Sequence, residues 1–569
     1  MITIFFLLFI SVFAEIKTCK CNDNIKCQLD TTTKTLTVSG NGQWKSIEEC
    51  SKTEVSILSI EKGIISVEHT FFQKSGFLTS VKCANECSLK TIGDNAFSDA
   101  TSINSFSSKT IETIGVNSFM KTKFLEFDFS SIKTIGKEAF KGSQLKEVSF
   151  PQTLETIGTN AFEDCPIVKY NVNANNKIYS SDEDGALYEK RNGIKALISY
   201  PPQAKAKTLF KVANGTQIIR QNALKDISSF KTIDLNDVVS VEPNGINNCN
   251  GVTEMRLGKK TSHLTKESFS GFPLIEKYTV PQENTFFSSE DGILFTKDVK
   301  NKALIRYPLK KAISEKYSIP SGVKVIYDYA FADITSLKEL TIGNDVYSIH
   351  SYAFKECINL EKVTITASIK SVGTSVFEGM EKLSTVVLGD NVQMIGKRMF
   401  ASCTKLTSLT VGKGIVSIES HAFVYSPIQS IVIPETCKYI MTNAFSGCSE
   451  LTSVKIGSNV KEISRNTFSN CKKLATVDLS TATSLLRIDD NAFAMTSALK
   501  YIEIPASVQV VSELAFYQSA IEKVYYHGLQ KPNYCSMNAF KETGLKVVNV
   551  PKNYVHLKFC FLDIKRDES

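Results

Sequence analysis

Hydrophobic and polar positions recur in a fixed order along this chain. Within residues 451–474, LTSVKIGSNVKEISRNTFSNCKKL, Val454 and Ile456 flank Lys455 with the two-residue alternation of a half-buried strand. Val460 and Ile463 step inward again, and Phe468, Cys471 and Leu474 close the segment, so that every apolar position can face one core. The same order returns as IGDNAF ending at Phe97, IGKEAF at Phe140, IGTNAF at Phe162, IMTNAF at Phe445 and IDDNAF at Phe493.

Aligned on the aromatic, the anchors are Phe72, Phe97, Phe119, Phe140, Phe162, Leu224, Ile246, Phe269, Phe331, Phe354, Phe377, Phe400, Phe423, Phe445, Phe468, Phe493, Phe516 and Phe540. Fifteen of the seventeen spacings are 21 to 25 residues, and the residue five before the anchor is Ile, Val or Leu everywhere except Cys535. The residue just before it is Ala in eleven of the eighteen cases, a demand for small size where one coil's backbone nears the next. A period in this range carrying a short strand predicts a leucine-rich-repeat solenoid. Its elements are short parallel β-strands with loop or short-helix returns, and each coil buries its apolar side against its neighbours. Function is then expected on a surface rather than in a cleft.

Two intervals break the period, from Phe162 to Leu224 and from Phe269 to Phe331, each 62 residues long. Gly185 and Gly292 lie 107 residues apart, as do Tyr200 and Tyr307, which points to duplication of a whole block. Asp184-Gly185 and Asp291-Gly292, flanked by alternating apolar residues, predict two β-hairpin insertions leaving the solenoid, at about 173–205 and 282–312. The acidic residues there, Asp182, Glu183, Asp184, Glu290 and Asp291, lack the spaced pattern of a calcium loop and are read as turn chemistry.

The array has no Gly/Ser/Pro-rich linker, so the expectation is one elongated solenoid over residues 67–545, with a cysteine-containing cap at 15–66 and a C-terminal cap or tail at 546–569. Residues 1–14 open on MITIFFLLFISVF, too short to span a bilayer, with small residues at the cleavage offsets, and read as a secretory signal. The competing reading is a buried N-terminal strand. No later window holds the apolar length of a membrane helix, and the ending FCFLDIKRDES carries neither a lipid-anchor tail nor a retention signal. No direct membrane span is expected. Net charge is +8 across 66 basic and 58 acidic side chains, and lysine is spread without basic runs, so nucleic acid is not an expected partner.

Of the fifteen cysteines, Cys19, Cys21, Cys27 and Cys50 crowd the N-terminus, where disulfides would close the exposed end of the first coil. Cys165, Cys249, Cys357, Cys403, Cys448 and Cys471 each follow the anchor by three residues, a slot for a small buried hydrophobe. Cys83, Cys87, Cys437, Cys535 and Cys560 stay unassigned, and the odd total leaves a free thiol or an intermolecular bridge.

The combination of I-G-x-x-A-F, the trailing C-x-x-L and the inserted S-x-D-G-x-L-F…L-I-x-Y-P resembles the BspA-like leucine-rich-repeat surface proteins, and the likeness covers nearly the whole chain. CNDNIKCQLDTTTKTLTVSGNGQW, residues 21–44, is similar to that family's N-terminal segment. The resemblance implies a surface or secreted protein of a mucosal microbe that binds host cells, matrix proteins or other microbes. Many relatives carry a C-terminal membrane helix or sorting signal, which this ending lacks.

Chemistry has little support. The six histidines are scattered without a metal-binding pair, and the G-x-S-x-G elbow and a complete phosphate loop are missing. No catalytic, cofactor or metal residues are assigned. Asn214-Gly215-Thr216 is an N-glycosylation sequon. The expected function is therefore a non-catalytic extracellular or cell-surface binding protein, an adhesin-like scaffold for protein or glycan ligands on host or microbial surfaces. The alternatives are a secreted hydrolase of glycans or peptides, and an intracellular interaction platform if the signal is not real.

Overall fold

The computed structural model describes residues 15–84, 87–269 and 271–567, and the expected signal segment lies outside them. The chain divides into two compact units, Met1–Pro273 and Leu274–Ser569, each a repeat solenoid. Among the described residues the helical pieces are two 3-10 turns, Lys52–Glu54 and Lys266–Phe269, so the returns are turns rather than helices.

Each regular coil contributes one longer and one two-residue strand. In the second unit Glu339–Ile342, Lys362–Ile365, Thr385–Leu388 and Ser408–Val411 pair in parallel, with Leu340, Val363, Val386 and Leu409 in register. Val325–Ile326, Ser348–Ile349 and Ser371–Val372 form a second parallel ladder on the same coils. Alternation sends Val363 and Ile365 inward and leaves Lys362 exposed.

The turn that follows the short strand carries the anchor. Phe331 through Phe540 form an unbroken stack in the second unit, with neighbouring ring centroids 4.8 to 5.6 Å apart. Phe72, Phe97, Phe119, Phe140 and Phe162 make a shorter stack in the first. Backbone bonds run along the stack in parallel with the rings: the Phe331 N–H donates to Ala353 O at 2.8 Å, and Phe423 to Ala444 O at 2.8 Å. Two residues per turn, at two before and two after the anchor, adopt left-handed φ, which explains the Asn of x-N-A-F: Asn95, Asn117, Asn443, Asn466 and Asn491 all have φ between 54° and 59°. The Gly of I-G has a different cause. A Cβ at Gly136 would stand 2.5 Å from the Gly115 carbonyl carbon, so backbone meets backbone there.

The first unit opens on three antiparallel strands, Ile16–Cys21, Ile25–Asp30 and Thr35–Gly40, the last of which pairs in parallel with Ile57–Ile60 and so hands the sheet over to the array. Disulfides Cys19–Cys50 and Cys21–Cys27 tie this cap. Cys83–Cys87 and Cys535–Cys560 are also bonded, and the remaining seven cysteines are buried free thiols.

Both insertions contain the expected hairpins, but neither hairpin stands away from the solenoid. Tyr179–Ser181 and Leu187–Arg191 are antiparallel, and so are Phe287–Glu290 and Ile293–Thr296. A third strand then rejoins the array: Ile194–Ser199 pairs in parallel with Thr216–Ile219, and Ala303–Arg306 with Val325–Ile326. Asp291 and Gly292, at φ 49° and 77°, form a two-residue turn, whereas one additional residue in the first copy widens the loop to Asp182–Ala186. Tyr200 and Tyr307 are unrecognised anchors. Their N–H groups donate to Ala223 O and Ala330 O at 2.7 and 2.8 Å, and the Tyr307 ring stacks on Phe331 at 5.3 Å.

Candidate binding surface

The nineteen tyrosines are partitioned between the units. Tyr170, Tyr179, Tyr188 and Tyr200, the four of the first unit, are all at most 4 % exposed. The second unit exposes seven: Tyr327, Tyr347, Tyr352, Tyr425, Tyr439, Tyr501 and Tyr534. All but Tyr501 lie between seven residues before and two residues after their anchor, which places them on the short strands and the anchor turn. Met441, Met495 and Met537 are exposed in the same window, the last at 74 %. Exposed tyrosine and methionine side chains of the second unit therefore concentrate on one edge of several coils.

Coil stacking brings some of them together. The Tyr329 and Tyr352 rings stack at 5.4 Å, and Tyr327 meets His350 at 4.9 Å. His350 Nδ1 lies 3.5 Å from the Asp328 carboxylate. Arg398, two coils beyond Tyr352, takes the same turn position and pairs with Glu378. Tyr425 lies over the next coil, where a Cβ at Gly447 would come within 2.4 Å of its ring.

Three of these side chains occupy costly backbone. Tyr352, Tyr425 and Met495 have φ of 58°, 60° and 59°, in the two turn positions that Asn and Gly take in many other coils. A bulky residue there costs roughly 1–2 kcal/mol, because its Cβ crowds the following carbonyl. Tyrosine and methionine enrichment is the composition of interface cores. Sequence reasoning did not find this surface, although registering tyrosines against the anchors would have drawn it out.

The residues flagged by sequence fall elsewhere. Asn214 sits exposed on a turn, its Oδ1 accepting from Asn236 Nδ2 at 2.8 Å. The hairpin carboxylates are committed locally. Asp182 accepts from Ala186 N at 2.9 Å and from the Tyr188 hydroxyl at 2.8 Å. Asp184 pairs with Lys207, Glu290 with Lys302, and Asp291 with Lys311. Among the described residues no group of three or more His, Cys, Asp or Glu is placed to hold a metal ion, and no helix is long and apolar enough to cross a membrane. His69 is buried against Trp44, with ring centroids 4.2 Å apart, and burial pushes it down to about 4.

No curated protein matches this sequence. Among solved structures, a leucine-rich repeat protein from Eubacterium ventriosum is 20% identical over 76% of this chain and 94% of its own, with a TM-score of 0.35. A leucine rich cell surface protein from Faecalibacterium prausnitzii is 17% identical over 82% and 95%, with a TM-score of 0.33. A leucine-rich repeat protein from Bacteroides ovatus is 17% identical over 89% and 100%, with a TM-score of 0.27. The BspA type leucine rich repeat region matches residues 46–182, 205–291, 307–427 and 416–546, leaving out stretches within the two insertions. With most of its length matched in this way, the chain belongs to the BspA-type leucine-rich-repeat family.

Proposed function

We propose that this protein is a non-catalytic, extracellular binding scaffold that engages protein ligands on host or microbial surfaces through the tyrosine- and methionine-bearing edge of its second unit. The observation that carries the reading is the placement of Tyr352, Tyr425 and Met495 in left-handed backbone, where stability is given up for large side chains that remain exposed at the surface. The seven exposed tyrosines supply rigid, amphipathic contact area along many coils, and modest contacts repeated on one edge add up. Four disulfides support an oxidising compartment.

The test uses residues 15–569 against epithelial cells and a panel of host matrix proteins, with Tyr352→Asn and Tyr425→Gly as variants. The expected result is saturable binding that weakens in both variants while their melting temperatures rise. Binding unchanged by the pair of substitutions removes this edge from the account, and no saturable binding by folded protein removes the adhesive function.

A further inference from the structure

The first unit contains a cavity of about 640 Å³ where one anchor turn is not followed in register by the next. In a regular coil three N–H groups, at two before, at and two after the anchor, donate to the turn that follows. Glu138 N donates to Thr159 O at 3.1 Å, Phe140 N to Ala161 O at 2.8 Å and Gly142 N to Glu163 O at 2.8 Å. After Phe162 the pattern fails. The next strand, Ile194–Ser199, leads through Tyr200 into a turn at Pro201–Ala204 that is offset from the Phe162 turn, so the N–H groups of Asn160, Phe162 and Asp164 meet no carbonyl. Across the gap stands the Leu224 turn, reached only by side chains. Lys225 Nζ lies 2.8 Å from both Glu163 and Asp164, and Asn222 Nδ2 lies 3.3 Å from Asn160 Oδ1.

We propose that this gap binds a neutral mono- or disaccharide. Its volume falls in the range of about 300–1,000 Å³ typical of small-molecule sites. Three backbone donors without partners call for ligand oxygens. The charged lining, Glu163, Asp164, Glu189, Asp226 and Glu242 against Arg220 and Lys225, is acidic on balance, and both cations are already paired. An anion is therefore disfavoured, whereas sugar hydroxyls accept from the N–H groups and donate to the carboxylates. Tyr170, Tyr179 and Tyr200 contribute to the wall, and the Tyr200 hydroxyl is buried without a hydrogen-bond partner. The duplicated block supplies an internal control: 107 residues later, Arg220, Asn222 and Lys225 are replaced by Tyr327, Tyr329 and Ala332. The fold of the block does not require the polar set.

The experiment is saturation-transfer NMR on residues 15–569 with glucose, galactose, mannose, N-acetylglucosamine, lactose and maltose. It is paired with hydrogen exchange of the peptide spanning residues 159–166. The proposal expects transfer from at least one sugar and slowed exchange in that peptide. It also expects about tenfold weaker binding in a variant carrying Arg220→Tyr, Asn222→Tyr and Lys225→Ala, as loss of one or two buried hydrogen bonds implies. No transfer to folded protein overturns it, as does transfer without protection of residues 159–166. Binding confined to cationic probes such as spermidine also overturns it. If the triple variant does not fold, Asn222→Ala with the exchange readout decides the matter on the same terms.

Discussion

The thiol of Cys471 donates to the backbone carbonyl of Phe445, one coil back along the stack, at 3.2 Å. Cys357, Cys403 and Cys448 make the same bond to Phe331, Phe377 and Phe423 at 3.1 Å. Ser426 takes the same slot between Cys403 and Cys448 and bonds Phe400 O, so a hydroxyl can stand in for the thiol there, whereas Ile334 and Met380 fill the slot in other coils without a donor. Cys403→Ser should stay within about 1 kcal/mol of the parent. Cys403→Val leaves the Phe377 carbonyl buried and unpaired and should cost about 1–3 kcal/mol in urea unfolding.

Burial pushes Cys249, Cys357, Cys403, Cys437 and Cys471 up to about 12 from an ordinary value near 9. Their folded values lie above their unfolded ones, so the stability they contribute is intact below pH 9 and is lost as pH rises toward 12. Within that window each thiol removes about 1.4 kcal/mol per pH unit. Urea midpoints measured from pH 8 to 11 should fall, and less steeply in Cys403→Ser. Buried tyrosines such as Tyr200 and Tyr307 act in the same direction, and the difference between parent and variant isolates the thiol.

Phe400 is held between Phe377 and Phe423, with centroids 5.6 and 5.5 Å away, and is fully buried. Phe400→Ala opens a cavity that neither neighbour can fill and should cost about 3–5 kcal/mol. Phe540 has a stacking neighbour, Phe516, on one side only and retains some exposure, so Phe540→Ala should cost less. Calorimetry of the two variants compares them directly.

His69 accepts from Phe71 N at 3.2 Å and packs edge-on to Trp44, and burial lowers it from 6.5 to about 4. A depressed histidine stabilises the neutral side: its contribution is complete above pH 6.5 and is lost as pH falls toward 4. The full effect is about 3 kcal/mol. His69→Gln should flatten the acid limb of the stability profile between pH 6.5 and 4, read from urea midpoints.

Leu514 has φ of 55° at the turn position where Asn443, Asn466 and Asn491 stand in earlier coils. Leu514→Asn should raise stability by about 1 kcal/mol, since Asn tolerates left-handed backbone better than Leu. Unlike the tyrosine variants on the same edge, it should leave ligand binding unchanged, which a melting curve and a binding isotherm together test.

The array was legible because one aromatic is repeated at a steric bottleneck, and Phe tolerates few substitutes when rings stack on rings. Tyr200 and Tyr307 were missed because the residue before each is Ser199 or Arg306 instead of Ala, and because the insertion breaks the count. Asn192-Gly193, at φ 50° and 78°, turns the chain between the second and third strands of the first insertion, a two-residue hairpin signal passed over beside Asp184-Gly185. The tyrosine edge was hidden in positions that vary from coil to coil. The cavity was beyond sequence altogether, since it arises from a turn that forms out of register with the one before it.

Identical turns have an evolutionary consequence. Because regular anchor turns offer the same three donors forward, one regular coil can follow another. Removing residues 378–400, from one anchor to the next, would join two interchangeable junctions and leave the remaining stack in register. Recombination between repeats can therefore lengthen or shorten such a chain in whole coils without passing through a misfolded intermediate. The 107-residue duplication is one such event preserved in this sequence. Chain length is then an adjustable reach, and alleles differing by single coils are the expected form of its natural variation.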